Sequence, residues 1–320
     1  MTYHKTLTAA LLAGAAFAGP AMAQDFPTGD VTIIVPFAPG GAVDTTNRVI
    51  VEAANERDLL GGGYEFVVEN ISNTIVGQAT PAREEPNGQM ILAMTSSVVT
   101  NPKLRETPFA VSDYTPVALY TIDPEVIVVP VDSPYETIED LVAAATDGSV
   151  SVVTSGVGTS HHMSGIALQN RAGLDLNIIN VDAFGEQVQQ IAGGHVEMAL
   201  WPWGEASKQV EAGLVRPLAV ASRERIADLP DTPTWNEAGL GVEEFATFRG
   251  WGVAADTPDE IVAQLSGVLE TLSQDEEFVQ AMADAGYNVE YADSAGFGET
   301  IANYDTLTTE IIEAAGLGEN

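Results

Sequence analysis

The chain has 320 residues, of which 45% are hydrophobic and 18% charged, with 46 Asp and Glu against 12 Lys and Arg and no cysteine. That much Val, Ile, Leu and Ala supports a packed core and excludes intrinsic disorder. A net charge of −34 excludes the clustered basic surface that nucleic acid and anionic membranes require. The absence of cysteine excludes disulfides, thiolate metal sites and a cysteine nucleophile.

The N-terminus reads as an address. Lys5 precedes the apolar run Leu7 to Ala18, and Ala21-Met22-Ala23 forms a small-residue cleavage site, the pattern of a secretory signal peptide cut after Ala23. The protein is therefore expected in the periplasm. An acidic excess in an exported protein fits either a saline habitat, where repulsion between like charges maintains solubility, or ordinary acidic drift.

Downstream, short apolar runs alternate with helix-period segments, which predicts an α/β protein with largely parallel sheets. Strands are predicted at Val31 to Val35, Tyr64 to Val68, Met90 to Met94, Val126 to Val131, Val150 to Thr154, Leu176 to Val181, Val196 to Trp201 and Leu218 to Ala221. A helix over Ile138 to Ala145 carries a capping box in Thr137 and Asp140. Amphipathic helices follow Pro258, with Tyr287 to Tyr291 as one more strand candidate. The length calls for two lobes. No linker separates them, so strands that cross more than once are expected to join them.

Two loops carry the chemistry. Pro39-Gly40-Gly41-Ala42-Val43-Asp44 follows a strand and opens a helix, so its amides and the helix dipole suit a carboxylate or phosphate. A tight turn with Asp44 serving only the first helical turn explains the same residues. Thr154-Ser155-Gly156-Val157-Gly158-Thr159-Ser160-His161-His162 repeats the arrangement. One loop per lobe, facing across a cleft, would hold an anion between opposed helix N-termini. Neither loop has the spacing of a nucleotide-binding motif. The adjacent histidines diverge by about 100° on a helix, so one is expected near the loop and one at the surface, and no metal or cofactor site is expected. Ser160 lacks a nucleophile-elbow motif. His195, after Gly193-Gly194, reads as exposed beyond a helix C-cap. Trp201 lies at a strand end, where it walls a pocket or packs in the core or hinge.

Val35-Pro36-Phe37-Ala38-Pro39-Gly40-Gly41 with Asp44, Val68-Glu69-Asn70, Pro86-Asn87-Gly88, Ser155-Gly156-Val157-Gly158-Thr159-Ser160 with His162, Gly193-Gly194-His195-Val196-Glu197 and Leu229-Pro230-Asp231-Thr232-Pro233-Thr234 with Glu237-Ala238-Gly239 occur in order. This set resembles the extracytoplasmic solute-binding proteins of tripartite tricarboxylate transporters, the Bug or TctC-like family. The resemblance implies a clamshell of two α/β lobes, over 24–122, 123–245 and a return segment 246–320. It implies capture of a small organic acid, with a carboxylate held by backbone amides and waters, and delivery to a permease of one large and one small membrane subunit. A monomer is the simplest state for such a shuttle.

The family's two carboxylate loops match Phe37, Ala38, Gly40, Gly41, Ala42 and Asp44, and Ser155, Gly158, Thr159, Ser160 and His162, and the expected binding set is completed by Thr95, Phe184 and Trp201. Two departures stand out. Val181-Asp182-Ala183 replaces the usual Tyr-Lys-Gly, and the glycine-rich loop after Asn70 is replaced by Ile71 to Gly77. Both imply a remodelled distal pocket. Rival readings are a ligand-presenting receptor for a membrane sensor kinase and an exported hydrolase built on Ser160 and His162.

Overall fold

The computed structural model describes residues 26–318. The cleavage site expected at Ala23 lies outside them. The elements in chain order are β1 (Val31–Val35), α1 (Ala42–Glu56), β2 (Phe66–Asn70), α2 (Thr74–Ala79), β3 (Met90–Thr95), α3 (Ser97–Leu104), β4 (Tyr114–Pro130), α4 (Ile138–Asp147), β5 (Val150–Thr154), α5 (Ser160–Ala167), β6 (Leu176–Asn180), α6 (Phe184–Ala192), β7 (Met198–Pro202), α7 (Trp203–Glu211), β8 (Val215–Val220), β9 (Ala246–Ala254), α8 (Asp259–Ser273), α9 (Glu276–Ala285) and α10 (Ser294–Ala314).

The strands form one continuous sheet in the order β2-β1-β3-β9-β4-β7-β5-β6, with β8 also on β4. The parallel pairing expected from sequence holds within each half, β1 with β2 and β3, and β5 with β6 and β7. The middle is antiparallel, because β4 runs against β7, β8 and β9 and β9 against β3. Two strands therefore stitch the halves. β4 is 17 residues long, so its first half pairs with β9 and its second with β7 and β8. Only its C-terminal third was expected from Val126 to Val131, since Pro116, Pro124 and the polar Thr121, Asp123 and Glu125 interrupt the apolar run.

β9 was not expected at all. Gly250 and Gly252 weaken a strand reading, yet both are dictated by close approach: a Cβ on Gly252 would strike the Met94 side chain, and one on Gly250 the Ala118 carbonyl and the Phe297 ring. Tyr287 to Tyr291 is not a strand. It runs beside β4, with Glu290 N–H on the Tyr120 carbonyl at 3.0 Å and an isolated bridge from Ala292 to Leu119.

One apolar cluster, including Ile50, Phe66, Trp251, Leu265 and Phe278, packs α1, α8 and α9 onto the first half of the sheet, and another, including Val153, Ile191 and Trp201, fills the second half. A third runs through both halves under α10, joining Leu92 and Val98 to Val152, Met163 and Phe297. Among the described residues no helix is long and apolar enough to cross a membrane.

The capping box forms as expected. Asp140 N–H donates to Thr137 Oγ1 at 3.2 Å, and Thr137 N–H to Asp140 Oδ2 at 2.9 Å. Thr137→Ala should cost about 1 kcal/mol and lower Tm by about 2 °C in a thermal melt; an unchanged Tm would mean that Asp140 holds this turn alone.

Candidate functional site

A cavity of about 300 Å³ opens where the two halves of the sheet meet, a size suited to a small molecule. Both expected loops reach it. From the first come Phe37, Ala38, Gly40, Gly41 and Ala42, and from the second Ser155, Thr159 and Ser160. Gly40 has φ +89°, which glycine adopts without strain. Gly41 then precedes α1, and Thr159 caps α5 by accepting the His162 N–H at 3.4 Å. Among the described residues no hydrogen bond engages the N–H groups of Val43 on α1 or of Ser160 and His161 on α5. Two helix N-termini thus present free donors and partial positive charge to one space.

Thr95 and Phe184 also line it, as expected. The sequence reading missed Ser96 and Ser97, which follow Thr95 at the start of α3, and Gly185 in the first turn of α6. Their signal was present, since each again follows a strand and opens a helix. Asp182 and Ala183, part of the departure noted above, lie on the wall, whereas the replacement loop Ile71 to Gly77 does not.

Four expected residues are not on the cavity wall. Asp44 turns back into its own loop, accepting from Gly40 N–H at 2.9 Å, Arg48 Nε at 2.9 Å and Asn70 Nδ2 at 3.0 Å. Burial alone would raise its pKa, but these partners outweigh burial and lower it. Gly158, at φ +87°, is pressed on α3: its carbonyl accepts from the Thr100 hydroxyl, and a Cβ would strike the Asn101 side chain. His162 accepts the Gly158 N–H on Nδ1 at 3.4 Å. Trp201 is fully buried behind Phe184, edge to face at 5.1 Å, and donates to Gln187 at 2.8 Å. It is core.

The histidines also depart from expectation. Neither is at the surface, with His161 7% and His162 8% exposed, and it is His161 that lines the cavity. Burial, with Arg249 nearby, pushes His161 down to about 3; burial, with Arg105 nearby, takes His162 to about 4. Both are neutral at ordinary pH. His195 is exposed, as expected. Among the described residues no three His, Asp or Glu side chains converge to hold a metal.

The floor of the cavity was invisible in sequence. Arg249 on β9 is 2% exposed and donates through Nη1 to Asp123 Oδ2 on β4 at 3.2 Å, with its guanidinium 5.5 Å from the Tyr287 ring centre. Glu125 is fully buried and accepts from Thr247 Oγ1 at 3.1 Å, and the Ser160 hydroxyl in turn pairs with Thr247. That link commits Ser160 to a hydroxyl partner and not to a histidine. Burial pushes the Glu125 carboxyl up to about 8, against lowering by Ser160 and Thr247 and with help from the charges of Glu205 and Asp123. Glu205, on the first turn of α7, also lines the cavity, and burial takes it to about 7.

Residues 48–317 match the model of the tripartite tricarboxylate transporter family receptor, TctC. The chain belongs to this family. A relative from Agrobacterium vitis, the UPF0065 protein in the TAR-I ttuE-ttuC' intergenic region, is 30% identical over 83% of this chain and 78% of its own. Among solved structures, the periplasmic binding protein BugD has a TM-score of 0.82 at 26% identity, covering 92% of this chain and 99% of its own. R. palustris Rpa4515, solved with adipate, has a TM-score of 0.84 at 23% identity over 92% of this chain and 99% of its own, and so shares the fold. TctC receptors are solute-binding proteins with the two-lobed periplasmic fold, and the two halves of the sheet described above are those lobes.

The buried carboxyl gives a testable pH dependence. Glu125 has its folded pKa raised from 4.5 to about 8, so the folded state holds a proton that the unfolded state has lost, and stability falls as pH rises through that window. Below about 6.5 the buried histidines act in the opposite direction, since unfolding lets them take up protons. From pH 6.5 to 8 the fall attributable to Glu125 is up to about 2 kcal/mol. Glu125→Gln should therefore flatten the decline of Tm between pH 6.5 and 8; parallel wild-type and variant curves would show that Glu125 does not titrate there.

Proposed function

We propose that the chain is a periplasmic solute receptor that captures a small organic carboxylate between its lobes and hands it to a membrane permease of one large and one small subunit. The observation that carries this reading is the convergence on one cavity of unengaged amides from α1 and α5, one in each half of the sheet. Such donors sit where a carboxylate placed between the lobes would accept from both at once. A ligand held in this way stabilises the closed arrangement by its differential affinity, and closure is the signal a permease can read.

The binding set in this reading is Phe37, Ala38, Gly40, Gly41 and Ala42 with Ser155, Thr159, Ser160, Thr95 and Phe184. The adipate bound to Rpa4515 supports a dicarboxylate-sized occupant. We assign no chemistry to the protein. Ser160 is bonded to Thr247, and the buried histidines are neutral at ordinary pH. The same reading places signal cleavage after Ala23, divides the lobes at residues 122 and 245, and takes the receptor to act as a monomer.

A thermal-shift screen of the purified protein against mono-, di- and tricarboxylates tests this directly. A ligand at 100 times its dissociation constant should stabilise by about 2.7 kcal/mol, and be recovered unchanged. Silence across all three classes, or consumption of the ligand, would contradict it.

A variant localises the site. A Cβ on Gly41 meets only the Ala38 carbonyl, at 4.0 Å, and the backbone there has φ −83°, so Gly41→Leu is compatible with folding while crowding the carboxylate loop. Its Tm without ligand should match wild type within the roughly 0.5 kcal/mol typical of tolerated sites, and calorimetry should find ligand affinity reduced about tenfold or more. Unchanged affinity would place the ligand elsewhere.

A further inference from the structure

The Glu205 carboxyl on the cavity wall has one oxygen without a partner. Glu205 has a side chain only 10% exposed, it lines the cavity, and its Oε2 is buried without a hydrogen-bond partner. A buried carboxylate oxygen left without a donor is costly, so each such atom calls for an explanation.

The Ala42 amide serves the Glu205 carboxyl, but Oε2 has no donor within hydrogen-bond distance. His161 Nε2 is 3.7 Å from Glu205 Oε2, beyond hydrogen-bond distance, and that imidazole is neutral. Arg249 donates through Nη1 to Asp123, and its Nε has no partner, Glu205 included. Glu125, kept protonated by burial, makes no hydrogen bond to Glu205: its Oε1 accepts from Thr247 and its Oε2 has no partner. Around the cavity floor Asp123 and Glu205 share a single guanidinium, and Asp182 adds a further acidic side chain on the wall.

The position of Glu205 matters as much as its unpaired oxygen. The Ala42 amide, at the first turn of α1, faces Glu205 and favours its ionised form. Ala42 belongs to the loop assigned above to the ligand's carboxylate. A carboxylate seated there therefore lies beside the Glu205 carboxyl, which burial holds at about 7, and once Glu205 is ionised two acceptors repel unless a donor stands between them.

We infer that the ligand carries an ammonium group on the carbon next to its bound carboxylate, and that Glu205 receives it. The inference rests on the carboxylate-receptor reading and names the substrate class of that same site: an α-amino acid or a close relative. An ammonium supplies three donors in the gap between the α1 amides and Glu205, and fills the vacancy at Oε2. It also removes an electrostatic difficulty. A chain of net charge −34 repels a dicarboxylate at a distance, whereas a zwitterion has no net charge to repel.

Calorimetry on matched pairs tests this: L-glutamate against glutarate, L-alanine against propionate, and L-phenylalanine against 3-phenylpropionate. In at least one pair the amino acid should bind about tenfold or more tighter than its deaminated parent, the strength of a charge-assisted hydrogen bond. In Glu205→Gln that preference should disappear while the parent acid binds as well as before or better. If the parent acids bind wild type as tightly as the amino acids, the inference fails and the carboxylate reading stands. A preference that survives in Glu205→Gln removes Glu205 from the account. If no member of any pair binds and the wider carboxylate screen is also silent, both readings fall. The wild-type comparison decides the question even if the variant folds poorly.

Discussion

The buried ion pair between Arg249 and Asp123 is the contact on which the rest of the site depends. It joins β9 to β4, the two strands that connect the halves of the sheet, at the level of the cavity floor. Both side chains are almost completely removed from water, at 2% and 4% exposure, so neither charge is tolerable without the other, and removing one partner of such a pair is far more damaging than the pair is stabilising. Asp123 does a second job. Its carboxylate accepts the Gly204 N–H at 3.0 and 3.1 Å, satisfying an orphan donor at the start of α7. That bond fixes the first turn of α7 and hence the position of Glu205. A Cβ at Gly204 would run into the Tyr287 ring and approach Asp123 Oδ2 at 2.8 Å, so the floor is packed tightly enough to require glycine. The chain of contacts from Arg249 through Asp123 and Gly204 to Glu205 is therefore a single mechanical unit at the junction of the lobes.

Above that floor the donors are all local. Free amides at the ends of α1 and α5 are dipoles whose influence is confined to the first helical turn, and they act independently of the chain's overall charge. This is how a protein with a strong acidic excess can offer a carboxylate a favourable place. The long-range field sets the encounter rate and fades with salt; the amides set the bound state.

What could be read in advance divides along the same line. The two loops that reach the cavity were legible because a strand, a glycine turn and a helix start follow one another within a few residues, as in Val35 to Val43 and Thr154 to Met163. The capping box at Thr137 was legible for the same local reason. The floor was not, because Asp123, Glu125, Glu205 and Arg249 come from three separate elements and look like ordinary surface charges until β4 and β9 pair. β9 itself was hidden by Gly250 and Gly252, whose role is set by Met94, Ala118 and Phe297, all distant in sequence. The assignment of His162 to the site went wrong by one position, since one step along α5 separates a side chain facing the cavity from one facing the Gly158 amide. Trp201 was placed at the correct end of its strand, but Phe184 stands between it and the cavity.

The central claim is that a carboxylate is held between the lobes by the first-turn amides of α1 and α5. A crystal structure of the protein with its tightest-binding acid tests it most directly. The account predicts the carboxylate oxygens at about 2.9 Å from backbone N–H groups of both loops, with Phe37 and Ser160 on either side. A ligand bound at another surface, or one whose carboxylate contacts the loop of a single lobe, would contradict it.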